Sequence, residues 1–175
     1  MSALATANSG VLTTDASGVP SIDTTNFVRQ TTGMQVKGNN TNTAPPSGFI
    51  GQQIVSTVAS GSAVSLSGTV TATSITSISL TAGIWDVSCL GCFNLNGSSV
   101  VSAQISINSS VANGTAGNNN CSIFLGAAGL YDGMASIPSY RVTLSGTTTY
   151  FLVMWASYTV ANPKGYGRLS ATRVG

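Results

Sequence analysis

Alternating side chains between residues 85 and 95 constrain the fold of this chain more than any other feature of its sequence. Apolar residues and glycine take the odd positions: Trp85, Val87, Cys89, Gly91, Phe93 and Leu95. The even positions include Asp86, Ser88 and Asn94. A period of two places such residues on opposite faces of a β-strand. The segment is therefore predicted to be a strand with one buried face and one face in water.

Similar runs follow one another from Phe49 onward, separated by clusters of Gly, Asn and Ser. The candidate strands are 50–58, 63–66, 69–80, 84–95, 99–108, 121–125, 139–144, 148–158 and 165–174. Many short strands at regular spacing are typical of a two-sheet sandwich or barrel. Charged residues make up only 6% of the 175 residues, and the helix former Glu is absent. The sequence predicts an all-β fold, an antiparallel β-sandwich of the jelly-roll kind.

The first 47 residues differ from the rest, because they hold few bulky apolar side chains and much Ser, Thr, Asn and Gly. Such a segment cannot bury enough apolar surface to fold alone. Residues 1–47 are predicted to be an extended N-terminal arm, and residues 48–175 the sandwich. Isolated apolar residues are predicted to attach the arm to a partner surface: Leu12, Ile22, Phe27 and Val28. A plain flexible linker is the alternative.

One predicted strand, 148–158, is apolar on both faces. A strand of this kind lies between two layers or is buried by another subunit. A small sandwich has too little interior to bury both faces of many strands. We therefore expect a homotrimer in which Phe151, Val153 and Trp155 lie at the subunit interface.

The sequence offers little for catalysis. It has no His, and its four acidic residues, all Asp, lie far apart along the chain. Cys89 and Cys92 have the spacing of a redox or zinc half-site, but positions i and i+3 of a strand face opposite sides. Only Cys121 remains as a further thiol, and zinc takes four ligands. The cysteines are predicted to be small packing residues, and no catalytic residue, metal or cofactor is expected.

The remaining surface signals are weak. A net charge of +2 is too small for nucleic-acid binding, and no apolar run is long enough to insert into a membrane. The N-terminus lacks the features of a signal peptide, which predicts synthesis in a cytoplasm. Amides, a carboxylate and an aromatic ring in two loops are groups that bind sugars. The predicted glycan contacts are Asn118, Asn119, Tyr131 and Asp132, with a solvated loop as the alternative.

Several segments resemble the distal domain of tailed-bacteriophage tail-fibre proteins. The most specific is 80–87, Leu-Thr-Ala-Gly-Ile-Trp-Asp-Val, which is similar to that domain's Leu-Thr-Ala-Gly-Xaa-Trp-Asp-Val signature. Weaker similarity covers 9–21, 45–52, 150–153 and 166–174, and the stretch 97–135 diverges. The resemblance implies a trimeric, β-structured fibre on the virion surface, made in the host bacterial cytoplasm, and it assigns no catalytic residues.

These observations together predict a non-enzymatic virion structural protein, a short trimeric fibre on the head or the tail. Its arm is expected to bind a capsid, cement or tail-adaptor protein, and its sandwich tip to contact host surface polysaccharide. A capsid decoration protein that stabilises the head shell is the first alternative. A polysaccharide-degrading enzyme and a jelly-roll ligand of the trimeric cytokine type are the others.

Overall fold

The computed structural model of the chain is nearly all β, which confirms the predicted fold class. It describes residues 45–114 and 133–175 with their side chains, and only the backbone of Val11–Thr14, Pro20–Asp23 and Cys121–Leu125. The chain divides into two compact units, Met1–Asn42 and Thr43–Gly175. In the first unit, strands β1 (Val11–Thr14) and β2 (Pro20–Asp23) pair antiparallel as a hairpin within the segment predicted to be an extended arm.

The second unit is a sandwich of two antiparallel sheets. Its strands are β3 (Gln53–Val58), β4 (Val64–Ser65), β5 (Thr73–Leu80), β6 (Gly83–Asn94), β7 (Ser99–Asn108), β8 (Cys121–Leu125), β9 (Met134–Leu144), β10 (Thr148–Thr159) and β11 (Lys164–Arg173). A single 3-10 turn, Ser60–Ser62, precedes β4. One sheet has the order β5-β10-β7-β8, and the other has the order β3-β11-β6-β9, with the short β4 paired to β11.

This strand order is a jelly roll. The pairs β7·β8, β6·β9, β5·β10 and β3·β11 are nested inside one another along the chain and are all antiparallel. They form one long ribbon, which is rolled up by two further pairings, β10 with β7 and β11 with β6. Rolling the ribbon places the two sheets face to face, and their facing apolar side chains form the core of the sandwich.

The observed sandwich strands agree with the predicted ones to within one residue at most limits, but β3 begins at Gln53 instead of Ile50, β5 at Thr73 instead of Thr69, and β9 at Met134 instead of Ser139. Proline lacks an N–H, so the sequence predicts a strand that starts only after Pro138. In the structure β9 is an edge strand, and its register against β6 shifts between Val87 and Cys89, opposite Pro138. A bulge on an edge strand is a place where proline is tolerated.

The side chains of β6 that were predicted to point inward are buried. Trp85, Val87, Cys89 and Phe93 are at most 6% exposed and belong to one core cluster. That cluster receives side chains from both sheets: Ile75, Ile78, Leu80, Ile105, Ile107, Leu152, Met154 and Leu169 are among them. Gly91 lies on the same inward face, and a Cβ there would come within 2.6 Å of a methyl group of Ile105. Glycine at this position lets the facing sheet approach closely.

One end of the core is closed by Arg173 and Trp85, which are register partners on β11 and β6. The Arg173 guanidinium lies 4.6 Å from the centroid of the Trp85 ring, and Arg173 is only 7% exposed. Its Nη2 donates to Thr81 Oγ1 at 2.6 Å and to the Ala82 carbonyl at 2.9 Å. The Trp85 indole donates to the Thr81 carbonyl at 2.9 Å. A buried cation needs such partners, and here they fix the β5–β6 turn against the last strand.

The turn itself requires glycine at position 83. Gly83 has a φ of +139°, and a Cβ there would collide with the Arg173 guanidinium. Residues 80–87 therefore have a structural reason for their pattern: Leu80, Trp85 and Val87 fill the core, and the turn between Leu80 and Trp85 holds Arg173.

Replacing Trp85 by Ala should lower the free energy of unfolding by about 3–5 kcal/mol, because it removes a fully buried ring and leaves a cavity beneath Arg173. Urea unfolding followed by circular dichroism measures this change. Asp86→Asn, on the opposite face of β6, is the comparison: it weakens the solvent-exposed ion pair with Arg141, so it should lower the unfolding midpoint far less than Trp85→Ala does. Equal loss in both variants would contradict the register described here.

Candidate functional site

The structure brings together two of the predicted arm residues. Leu12 and Ile22 are register partners in the β1–β2 hairpin. The other predicted attachment residues and all the predicted glycan contacts lie outside the described residues: Phe27, Val28, Asn118, Asn119, Tyr131 and Asp132.

The outer face of β10 carries the predicted subunit interface, and one part of that prediction requires correction. Val153 is fully buried within the single chain, so no second subunit is needed to cover it. Its neighbour on this face, Trp155, is half-buried and donates from Nε1 to Gln104 Oε1 at 2.7 Å. Gln104 in turn bonds both backbone groups of Gly114, at 2.9 and 3.1 Å. The connection that follows β7 therefore folds back over this face, which the period-two pattern alone does not show.

The outer face of the other sheet is different, because a depression of about 440 Å³ opens there across three strands. It is lined by Ser88, Cys89, Leu90, Ser136, Ile137, Pro138, Arg168 and Ser170. Strands β6, β9 and β11 supply these residues, and the register shift of β9 at Pro138 lies at its edge. We call it the serine–arginine depression. Its volume falls within the range of small-ligand sites, roughly 300–1,000 Å³.

Two hydroxyl groups and one guanidinium give the serine–arginine depression its chemistry. Ser88 and Ser170 are register partners, and their Oγ atoms lie 3.0 Å apart. Arg168 is register partner of Leu90 and is exposed. Among the residues described with side chains, no hydrogen bond or ion pair engages the Arg168 guanidinium.

The electrostatics of this face follow from five charged residues. Within 45–114 and 133–175 the charged side chains are those of Asp86, Arg141, Lys164, Arg168 and Arg173. Arg141 forms a two-pronged ion pair with Asp86, at 2.9 and 3.1 Å, and these bonds hold the pKa of Asp86 below its ordinary value. Arg173 belongs to the core. Lys164 and Arg168 remain as positive charges on the outer face of β11, without a described carboxylate beside them.

The two described cysteines are unsuited to redox or metal chemistry. Cys89 is buried in the core and Cys92 is half-buried, and both are free thiols. Burial raises the pKa of the Cys89 thiol to about 12, so it is protonated at neutral pH, and burial also raises the pKa of Cys92. In the described ranges no three Cys or Asp side chains gather into a group that could hold a metal ion.

A turn at residues 45–52, here called the junction turn, leads into β3. Phe49 and Gln52 close it by backbone bonds to Pro46 and Phe49, and the Gly51 N–H donates to the Arg173 carbonyl at 2.8 Å. This contact holds the junction turn against β11 of the sandwich. The turn leaves two large apolar side chains in solvent, Phe49 at 59% and Ile50 at 69% exposure.

Comparison with known proteins gives one structural neighbour of interest. No protein-family model matches the chain, and no curated protein matches it either. The crystal structure of the infectious bursal disease virus VP2 subviral particle is similar to 71% of this chain, with a TM-score of 0.36 and 14% identity. The chain spans 31% of the length of that VP2 chain. A viral capsid protein is thus among its structural neighbours, and a likeness at this level says nothing about individual residues. No helix among the described residues is long and apolar enough to span a bilayer.

Cys89 should resist alkylation in the folded protein, because a thiol with a pKa of about 12 has almost no thiolate at pH 8. Iodoacetamide treatment followed by peptide mass spectrometry measures this directly, with denatured protein as the reference. Cys92, which is less deeply buried, should react first. Equal reaction rates of the two thiols in the native protein would contradict the inward position of Cys89.

Proposed function

We propose that this chain is a non-catalytic structural protein of a bacteriophage virion surface, a short trimeric fibre of head or tail. Its N-terminal unit attaches it to the particle, and its sandwich contacts host surface glycans. The observation that carries the proposal is the jelly-roll sandwich with very few charges, joined to a separate N-terminal unit. Jelly rolls recur in viral capsid and lectin domains, whose roles are assembly and binding.

The chemistry of the sandwich supports binding over catalysis. The chain has no His and no Glu, and the Asp86 carboxylate is engaged by Arg141. A serine hydroxyl needs a base to become a nucleophile, and among the described side chains the hydroxyls of Ser88 and Ser170 are hydrogen-bonded to each other. Each hydroxyl can donate a hydrogen bond to a ligand or to water and accept one from it.

The first test is the location of the protein on intact particles. Gold-labelled antibodies raised against the full chain should decorate virions in electron micrographs, at the tail for a tail fibre and over the shell for a head fibre or decoration protein. Label confined to the soluble fraction of lysed cells, with unlabelled particles, would contradict a virion role.

The role of the arm has its own test. The double variant Leu12→Ser, Ile22→Ser should reduce incorporation of the chain into particles, because it removes two apolar side chains from paired positions of the hairpin. Quantitative immunoblotting of purified virions measures the occupancy. Val160→Ser is the control, since Val160 is 93% exposed and belongs to the sandwich unit. Equal occupancy of the double variant and the control would contradict attachment through the hairpin.

The proposed trimer is supported by the junction turn. Phe49 and Ile50 present apolar surface near the start of the sandwich unit, and three copies meeting there would bury it. Multi-angle light scattering should give a trimer for the wild-type chain. The double variant Phe49→Ser, Ile50→Ser should shift the mass toward a monomer, and Val160→Ser should not. A wild-type monomer at micromolar concentration would contradict this proposal.

A further inference from the structure

The serine–arginine depression is part of the fold, because the bulge in β9 shapes it. The register of β9 against β6 shifts beside Ser88, where Pro138 stands in the strand. A bulge bends its strand and interrupts the ladder, so the sheet surface is no longer flat at this point. The edge strand β9 contributes residues 136–138 to the lining, and Ser88 and Ser170 belong to the two central strands, β6 and β11.

The depression presents polar and apolar groups in separate places. Arg168 and the serine hydroxyls provide hydrogen-bond donors, and the hydroxyls can also accept. Leu90, which is 38% exposed, and Pro138 provide aliphatic surface at the same site. A pyranose ring has the matching distribution, with hydroxyls around its edge and C–H groups on its faces.

The depression carries the positive charge of Arg168, and among the residues described with side chains no carboxylate pairs with it. Arg141, the other exposed arginine of this sheet, is occupied by Asp86. Lys164 stands four positions before Arg168 on the same face of β11 and adds a second positive charge beyond the depression. The guanidinium fork matches a carboxylate in a bidentate geometry, which an ammonium group cannot provide.

From these observations we infer that the serine–arginine depression binds a carboxylate-bearing saccharide, with Arg168 on the carboxylate and the serine hydroxyls on the sugar hydroxyls. The inference rests on the proposed function and deepens it, because it names the chemical class of surface glycan that the sandwich recognises. Acidic sugars are distinguished from neutral ones by the pairing of their carboxylate with Arg168, and from simple anions by the hydroxyl and aliphatic contacts.

The test is direct binding of the full-length protein to oligogalacturonides, measured by isothermal calorimetry or saturation-transfer NMR. The matched ligand is the same oligosaccharide after reduction of its carboxyl groups, and acetate is the simple anion. We expect binding of the acidic oligosaccharide, at least about ten-fold weaker binding of the reduced form, and no competition by acetate at equal concentration, because a charge-assisted pair is lost in one case and the sugar contacts in the other.

Two variants assign the binding to the depression. Arg168→Gln should weaken binding about ten-fold, whereas Lys164→Gln, which removes the same charge from the same face of β11, should change it by less than about two-fold. Circular dichroism of both variants checks the fold. No binding of the acidic oligosaccharide, equal binding of its reduced form, or equal losses in the two variants would overturn the inference. None of these outcomes changes the labelling of virions, so a failure here is distinct from a failure of the virion role.

Discussion

The contact between Arg173 and Trp85 is the interaction on which the rest of the sandwich depends. It joins the last strand to β6, and the same guanidinium bonds the turn between β5 and β6. It also reaches Gln52 Oε1 at 3.4 Å, 121 residues earlier in the chain. A buried arginine is costly unless its donors are satisfied, so each of these partners is held in place by the others. The two ends of the sandwich sequence are thereby fixed at one point.

This closure matters because of how a jelly roll is wound. The outermost pair of the ribbon, β3 with β11, brings together strands that lie at opposite ends of the domain sequence. Such non-local pairs lose much chain entropy when they form. Contacts between residues close in sequence contribute little to these strand pairs, so the pairs depend on side-chain interactions between the distant strands. The cation over the Trp85 ring and the bonds to the β5–β6 turn supply these interactions at the end of the ribbon.

The two outer faces of the sandwich differ in how far the chain itself covers them. On one, Gln104 bonds Gly114 of the connection after β7, and Val153 is fully buried within the single chain. On the other, the β9 bulge leaves a depression, and the Arg168 guanidinium has no described partner. The two faces thus differ: the face predicted for assembly has Val153 buried within the chain, and the other face carries the depression proposed to bind a ligand.

The sequence by itself determined the fold class, most strand limits and the inward face of β6, because a period of two is written into neighbouring residues and needs no knowledge of partners. It also excluded His- and Glu-based catalysis through composition. Only the tertiary structure decided which strands lie side by side, and therefore which side chains meet. Ser88 and Ser170 are 82 positions apart and touch only because β11 is rolled against β6. The sequence alone gives no sign of a role for Arg173, and only the pairing of β11 with β6 places its guanidinium over the Trp85 ring. Sites of this kind depend on pairing between distant strands, which local patterns do not encode.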